Sequence, residues 1–296
     1  MKEDPAVYKM HPAWKKIDGI LVINLDTSVD RLNTFMDLNA RTLPQEKVHR
    51  LSAVLGREVA GYGKAPWFTE NTGERARFWG GTAGCALSHR KAIERAQSEG
   101  WRNVLILEDD AVMKASEPGL DLLNQALETF HGDYMLYLGF NKPVPYGRKL
   151  LKGPGINLWQ VEGVLATHGY LLPASMYERV LALLPTEETV WEWLTRYRAI
   201  DSMYRDFVSA LPGVKIYAIY PVLVDQGESL SDIGGQKALE AEYSCKREPY
   251  SYNTLSGVIH RLMSPFHRVK VHLNSLRTRR RGRKSGLPGF RKRRKK

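Results

Sequence analysis

The chain has 296 residues, of which 43% are hydrophobic and 26% charged, and this excludes a protein that is disordered throughout. Its two cysteines, Cys85 and Cys245, are too few for a disulfide framework or a cysteine-rich metal cluster, and they fit a reducing compartment. Residues 1–16 contain no apolar run typical of a signal peptide, and no stretch approaches the roughly 18 apolar residues of a membrane span. We therefore expect a cytoplasmic protein without a membrane-spanning helix.

The net charge of +12 is concentrated at one end of the chain. Residues 266–296 hold 14 of the 44 Lys and Arg residues and no acid, so the remainder carries 30 basic against 32 acidic residues. A basic tail on a nearly neutral body indicates an anionic partner surface rather than a basic active site. Just before and within this region, residues 255–276 mix apolar side chains with His, Arg and Lys, a pattern typical of an amphipathic segment on a membrane surface.

Composition divides the chain into an N-terminal extension (1–16), a main domain (17–242), an amphipathic basic segment (243–276) and a disordered polybasic tail (277–296). Phosphate backbones would also attract the tail, so a nucleic-acid-binding protein is the alternative from another functional class. The main domain has neither a basic excess nor a nucleic-acid-binding motif. We therefore expect the tail to hold the protein at an anionic membrane and expect no nucleic-acid partner.

Strands and helices alternate in the first half of the chain. In order, the pattern predicts a buried strand at 17–25, a helix between Ser28 and Pro44, a strand at 48–54, a long loop at 57–81, a helix at 82–99, a buried strand at 103–107, a helix at 120–130 and a strand at 134–138. Strands at 157–161, 166–172 and 215–219 and helices at 174–184 and 200–211 follow. This order predicts an α/β fold with a mostly parallel central sheet flanked by helices.

Three consecutive acids, Glu108, Asp109 and Asp110, follow directly on the apolar strand at 103–107. Ligands of open α/β sheets bind at the carboxyl ends of the strands. Adjacent carboxylates repel one another unless a cation neutralises them, and Mg²⁺ and Mn²⁺ prefer oxygen ligands that bridge to substrate phosphates. The pattern predicts metal ligation by Glu108 and Asp110, with Asp109 toward the bound ligand. A solvated acidic turn before the next helix is the alternative.

Asn24 and Asp26 end the first predicted strand, at the same edge of the sheet, and Arg31 falls in the first turn of the next helix. Backbone N–H groups at a helix start favour anions. Asp26 could accept a hydrogen bond from a base or ribose, and Arg31 could pair with a phosphate. A helix cap with a surface ion pair is the alternative for this segment.

A glycine-rich segment at 80–84 precedes Ser88 and His89. Glycines at a helix start, Gly84 among them, permit close approach of the backbone to a ligand. Ser88 and His89 are therefore candidates for contacting a diphosphate, with an ordinary hydrogen bond in the core as the alternative for His89. Cys85 is interpreted as a small buried residue.

Together these segments resemble glycosyltransferase family 25, which includes lipooligosaccharide galactosyltransferases of Gram-negative bacteria and collagen β-galactosyltransferases. The matching pieces are INLDTSVDR at 23–31, GTAGCALSH at 81–89 and LILEDDA at 105–111, with looser matches at 167–184 and 199–201. The resemblance implies a GT-A-like nucleotide-sugar-binding fold, inversion at the anomeric carbon and UDP-galactose as the common donor. It departs from the family pattern at 184–201, which holds Trp191 and Trp193, and at 57–77.

An inverting transferase requires a cation at the leaving diphosphate and a base for the acceptor hydroxyl. The resemblance implies Mn²⁺ or Mg²⁺ as cofactor and a UDP-sugar as donor. Asp201, at the start of a predicted helix, is the candidate base, although an acid at a helix start is also a common charge preference. The expected acceptor is a glycan hydroxyl of lipooligosaccharide or another lipid-linked saccharide. The loop after the last strand, with Gln226, Ser229, Ser231 and Asp232, is expected to fold over the site.

Overall fold

The structure is a computed structural model that describes residues 10–141, 144–227, 245–263 and residue 273. The polybasic tail at 277–296 and the loop residues Ser229, Ser231 and Asp232 lie outside the described residues, as does most of 264–276. The predictions made for those residues therefore remain predictions.

The first half of the chain contains α1 (Pro12–Lys15), β1 (Gly19–Asn24), α2 (Val29–Asn39), β2 (Val48–Ser52), α3 (Gly73–Ser98), β3 (Asn103–Glu108), β4 (Ala111–Met113), α4 (Glu117–Thr129) and β5 (Tyr134–Tyr137). The second half contains β6 (Tyr146–Gly153), β7 (Ile156–Val161), β8 (Gly169–Pro173), α5 (Tyr177–Leu181), α6 (Val190–Tyr197), α7 (Ile200–Met203), β9 (Lys215–Tyr220), β10 (Val224–Gln226) and β11 (Tyr250–Ser251). Residues 255–263 are also helical.

Most of the strands join one central sheet, in the order β11-β6-β7-β9-β5-β8-β3-β1-β2. The strand β1 pairs in parallel with β2 and β3, β5 with β9, and β6 with β11. The strand β8 runs antiparallel between β3 and β5, and β7 runs antiparallel between β6 and β9. All strands of this sheet except β7 and β8 therefore share one direction. The predicted α/β class with a mostly parallel, helix-flanked sheet is confirmed.

Both faces of the sheet are buried, which explains the unbroken apolar runs in the sequence. Along β1, Leu21 and Ile23 belong to one hydrophobic cluster and Ile20 and Val22 to the other, on the opposite face. The second cluster also contains Trp14 of α1, which is 2% exposed. Helix α1, assigned from the sequence to an N-terminal extension, thus packs with the body of the protein.

The prediction of one long loop at 57–81 was wrong in its second part. Helix α3 begins at Gly73 rather than near residue 82, so the glycines at 80, 81 and 84 lie inside a helix. A Cβ atom at Gly84 would overlap the backbone carbonyl of Val54, and one at Gly56 would overlap that of Gly80. These glycines let the segment 54–56 pack on the helix backbone, a contact between distant segments that helical periodicity does not reveal.

Other differences lie in the second half. The strand β6 was not predicted because most of its side chains are only partly buried, which obscures the alternation. The helix predicted at 200–211 is the short α7 followed by a π-helical turn at Tyr204–Val208. Helix α6, where no element was predicted, buries Trp191 and Trp193 against the core.

Candidate active site

The carboxyl ends of β1 and β3 lie side by side because these strands pair in parallel, with Ile23 opposite Glu108. Asn24 is therefore adjacent to the three acids that end β3. A cavity of about 550 Å³ opens at this edge of the sheet, between the acids, the segment 53–57 and helix α3. The predicted site residues that line it are Arg31, Gly84, Ser88, His89, Glu108, Asp109 and Asp110, together with Gln226 from the loop expected to fold over the site. Asn24, Asp26 and Asp201 are not among the lining residues.

Asp109 is held in place by Asn24 and Arg31, both from the segment 23–31. Asn24 Nδ2 donates a hydrogen bond to Asp109 Oδ2 at 2.7 Å, and the Arg31 guanidinium forms an ion pair with Oδ1. The same guanidinium lies 4.0 Å from Asp110 Oδ2. Burial raises the pKa of Asp109, against the opposing effects of Arg31 and Asn24. The Arg31 guanidinium is thus shared between Asp109 and Asp110, and the contacts of Asp109 connect β1, α2 and the end of β3.

Glu108 lies at the other side of the cluster, in contact with the segment just before β8 and with helix α3. Thr167 Oγ1 donates to Glu108 Oε1 at 2.5 Å, and His89 Nε2 lies 3.4 Å from the same oxygen. Burial alone would raise the pKa of Glu108, but contact with His89 and the hydrogen bond from Thr167 outweigh it and lower the pKa to about 2. Glu108 is therefore ionised at neutral pH.

Two sets of side chains in the cavity have metal-binding chemistry. Glu108 and Asp110 offer carboxylate oxygens, which suit Mg²⁺ or Mn²⁺. Cys85, His89 and Glu108 form a second set, whose ligand atoms lie within 4.8 Å of one another. Burial raises the pKa of the Cys85 thiol well above its ordinary value, and the nearby acids add to this effect.

Ser88 and Gly84 have protein partners in the structure. Ser88 Oγ donates to the Gly84 carbonyl at 2.6 Å and accepts from the Val54 N–H at 2.8 Å. These contacts hold the segment 53–57 on helix α3, so they shape the cavity wall. A direct contact of either residue with a diphosphate stays a prediction.

Asp26 lies at the surface beside the cavity and is paired within the protein. The Arg50 guanidinium and Ser52 Oγ both donate to its carboxylate, the latter at 2.8 Å. The hydrogen bonds from Arg50 and Ser52 lower the pKa of Asp26. The role predicted for Asp26, accepting from a base or ribose, would require it to share these partners.

Asp201 opens helix α7, and its Oδ1 accepts from the Ser202 N–H at 2.5 Å. Burial raises its pKa, an effect that outweighs the hydrogen bonds from Ser202 and the charge of Arg205. The negative charge of Glu108 also contributes to this increase, so the two carboxylates are within electrostatic range of each other. An acid with a raised pKa is suited to proton transfer.

Comparison with protein families shows to which family the chain belongs. Residues 17–189, more than half of the chain, match glycosyltransferase family 25 (LPS biosynthesis protein). The chain belongs to glycosyltransferase family 25. The match includes the strand ends, helix α3 and the acidic cluster, and it confirms the resemblance inferred from the motifs. A glycosyltransferase of this family implies a nucleotide-sugar donor, so the cavity is a candidate donor site.

Other comparisons add little to the family assignment. No curated protein matches this family 25 chain in sequence. Among solved structures, the mannose-1-phosphate geranyltransferase from Thermus thermophilus is similar, with 15% identity and a TM-score of 0.37. The similarity covers 69% of this chain and 74% of that one. A TM-score this low does not establish a common fold.

Sequence reasoning missed several residues that line the cavity of this family 25 chain. Arg57, Tyr62 and Arg77 line the cavity wall that was expected to be a loop. Asn141 also lines the cavity, and its Nδ2 donates to Gln226 Oε1 at 3.0 Å. The basic character of residues 57–77 pointed to Arg57 and Arg77. Because the helix start at Gly73 was not predicted, the sequence did not show that these side chains face the cavity.

Proposed function

We propose that this family 25 enzyme is an inverting glycosyltransferase that moves a hexose, galactose from UDP-galactose, to a hydroxyl of a lipid-linked glycan such as lipooligosaccharide. The observation that carries this proposal is the charge balance of the acidic cluster in a GT-A-like setting. Arg31 contacts Asp109 and lies 4.0 Å from Asp110, so one guanidinium is shared between two of the three carboxylates that line the cavity. This balance favours a divalent cation together with an anionic diphosphate.

Glu108 and Asp110 would hold Mn²⁺ or Mg²⁺, which when bound neutralises charge on the leaving diphosphate. Their oxygen donors fit a hard cation, and the contacts of Glu108 with Thr167 and His89 both fall on Oε1. Arg31 pairs with a donor phosphate while Asp109 and Asn24 keep its guanidinium at the cavity wall. This arrangement positions the diphosphate at the carboxyl edge of the sheet.

Asp201 takes the proton from the acceptor hydroxyl as the sugar is transferred. Its raised pKa supports this role because a base works best when its pKa approaches the operating pH.

Calorimetry with UDP tests the donor site directly. We expect binding in the presence of Mn²⁺ and little binding after chelation with EDTA. Asp110→Asn should lose the Mn²⁺-dependent binding, whereas Asp37→Asn, a change at an exposed acid on α2, should keep it. Equal affinity for UDP in Mn²⁺ and in EDTA would refute the metal assignment. A parallel comparison of UDP-galactose with other UDP-hexoses in a hydrolysis assay tests the donor sugar.

Attachment to the cytoplasmic face of a membrane is supported by the helix at 255–263. Apolar side chains on one side of this helix are exposed: Leu255 79%, Val258 46%, Ile259 53%, Leu262 70% and Met263 55%. The other side contacts the body, where Gly257 is buried and His260 lies 2.6 Å from Glu162 and stacks on Tyr146. An apolar face directed outward beside a strongly basic sequence is suited to an anionic lipid surface.

The docked side of this helix is defined by contacts that do not involve its apolar face. Arg261 lies over the Tyr252 ring, and the backbone at Tyr252 packs on Gly257. The apolar positions are therefore available to lipid without detaching the helix. No helix in the described part of the chain has the length and apolar character of a transmembrane span. An enzyme held at the membrane in this way would encounter a lipid-linked acceptor by diffusion in the plane of the membrane.

A further inference from the structure

Three side chains of different chemistry converge at the floor of the cavity. Cys85 and His89 are four residues apart on helix α3, so they share one face of the helix. Glu108 meets them from the carboxyl end of β3. The Cys85 Sγ, a ring nitrogen of His89 and a carboxylate oxygen of Glu108 all lie within 4.8 Å of one another. All three residues line the same cavity.

His89 provides an independent observation that points to a ligand. Its side chain is 1% exposed, and a hydrogen bond of 2.9 Å joins Nδ1 to the Tyr170 hydroxyl, which fixes the ring orientation. Nε2 is buried and makes no hydrogen bond within the described residues, and it lies 3.4 Å from Glu108 Oε1. When a cation is bound, the ring proton lies on Nδ1 toward the Tyr170 hydroxyl, and Nε2 presents a lone pair to the cation instead of a proton to Glu108. A histidine ordered through one nitrogen with the other directed into a polar cluster is typical of metal ligands.

We propose that Cys85, His89 and Glu108 form a site for a thiophilic divalent cation such as Zn²⁺. The donor set of one sulfur, one nitrogen and one oxygen suits Zn²⁺ or Co²⁺, whereas Mg²⁺ and Mn²⁺ prefer oxygen alone. On binding, the Cys85 thiol releases its proton to water and the sulfur coordinates as thiolate. Three protein ligands leave a coordination position open to the cavity.

This site shares Glu108 with the pair of carboxylates proposed to hold Mn²⁺. This consequence rests on the proposed function: Zn²⁺ would inhibit donor binding, because Glu108 cannot coordinate Zn²⁺ and Mn²⁺ at the same time. Excess Zn²⁺ should therefore weaken Mn²⁺-dependent UDP binding at least tenfold. The existence of the thiophilic site itself does not depend on the enzyme's reaction.

Titration of the full-length protein with Co²⁺ tests the site directly. Coordination of Co²⁺ by a thiolate produces a charge-transfer band in the near ultraviolet, and tetrahedral geometry produces intense visible bands. We expect both in the wild-type protein, loss of the charge-transfer band in Cys85→Ser, and retention of it in Cys245→Ser. Cys245 is the other cysteine of the chain, is buried and is not among the residues that line the cavity, so its variant is the matched control. His89→Gln should weaken Co²⁺ binding at least tenfold.

A measurement on the wild-type protein covers the case in which Cys85→Ser does not fold. Alkylation of Cys85, followed by mass spectrometry, should slow at least tenfold when Zn²⁺ is present, while alkylation of Cys245 should be unchanged. The proposal would be overturned if the wild type lacked the charge-transfer band or if Cys85→Ser retained it. It would also be overturned if Zn²⁺ did not change the rate of Cys85 alkylation. If the band is present while UDP binding proves independent of Mn²⁺, the thiophilic site stands and the proposed donor site fails.

Discussion

Thr167→Val tests how the protein keeps Glu108 ionised inside the cavity wall. Thr167 is 6% exposed, and its hydroxyl donates to Glu108 Oε1 at 2.5 Å. Valine retains the branched shape but removes the hydroxyl, which donates to Glu108 and also interacts with the Cys85 thiol. Because that thiol does not ionise between pH 3 and pH 7, the pH-dependent part of the loss reports the bond to Glu108. The expected result is a loss of stability that depends on the charge of Glu108.

The magnitude follows from the pKa of Glu108, which burial would raise but which contact with His89 and the Thr167 hydrogen bond lower from 4.5 to about 2. A decrease of this size corresponds to roughly 3 kcal/mol of stability at neutral pH, at about 1.4 kcal/mol per pH unit. A hydrogen bond to a charged group contributes about 1.5–3 kcal/mol, and the effect of Thr167 is smaller than that of His89, so its contribution lies toward the lower end of this range. Because the pKa is lowered on folding, this stability is complete above about pH 4.5 and is lost as the pH falls toward 2.

Urea unfolding between pH 7 and pH 3 measures the effect. Thr167→Val should reduce the free energy of unfolding by about 1.5–3 kcal/mol at pH 7, and the difference should shrink below about pH 4 as Glu108 becomes protonated in the variant. Thr195→Val is the matched control, because Thr195 is 0% exposed and donates to the backbone carbonyl of Glu192 at 2.7 Å. Its cost should be about 0.5–1.5 kcal/mol at every pH. Equal, pH-independent losses in both variants would refute the reasoning.

Three further predictions address packing, catalysis and membrane binding. Gly84→Ala places a Cβ against the Val54 carbonyl and should destabilise the fold by about 1–3 kcal/mol, measured by thermal unfolding. Asp201→Asn should lower kcat about 10²–10⁴-fold with UDP-sugar affinity nearly unchanged, and normal turnover of this variant would exclude Asp201 as the base. Because burial raises the Asp201 pKa above its ordinary value of 3.8, wild-type activity should be lost on acidification at a higher pH than an ordinary aspartate would give. Ile259→Glu should reduce sedimentation with anionic liposomes, whereas Leu38→Glu, at an equally exposed position, should not; equal sedimentation of both would contradict membrane contact.

The sequence determined which strands form the inner sheet and where their polar ends lie. Mostly apolar runs at 17–25 and 103–107 indicate burial on both faces, as in parallel strands, and this predicts that the polar residues at their carboxyl ends lie at one edge of the sheet. Glu108, Asp109 and Asn24 do meet at that edge. The family could also be inferred from the sequence, because the three motifs hold their order and spacing along the chain.

Only the tertiary structure decided which partner each of these groups contacts. The sequence pattern could not indicate that Asp109 is bound by Arg31 and Asn24, or that Thr167 and His89 both contact Glu108. Nor could it place β8 between β3 and β5, or show that Gly84 accommodates a neighbouring backbone within a helix. The periodicity of apolar residues indicates which side chains of a segment are buried. A contact between distant segments depends instead on how all the segments pack together. The partners in the site were therefore settled by long-range packing, which no local pattern encodes.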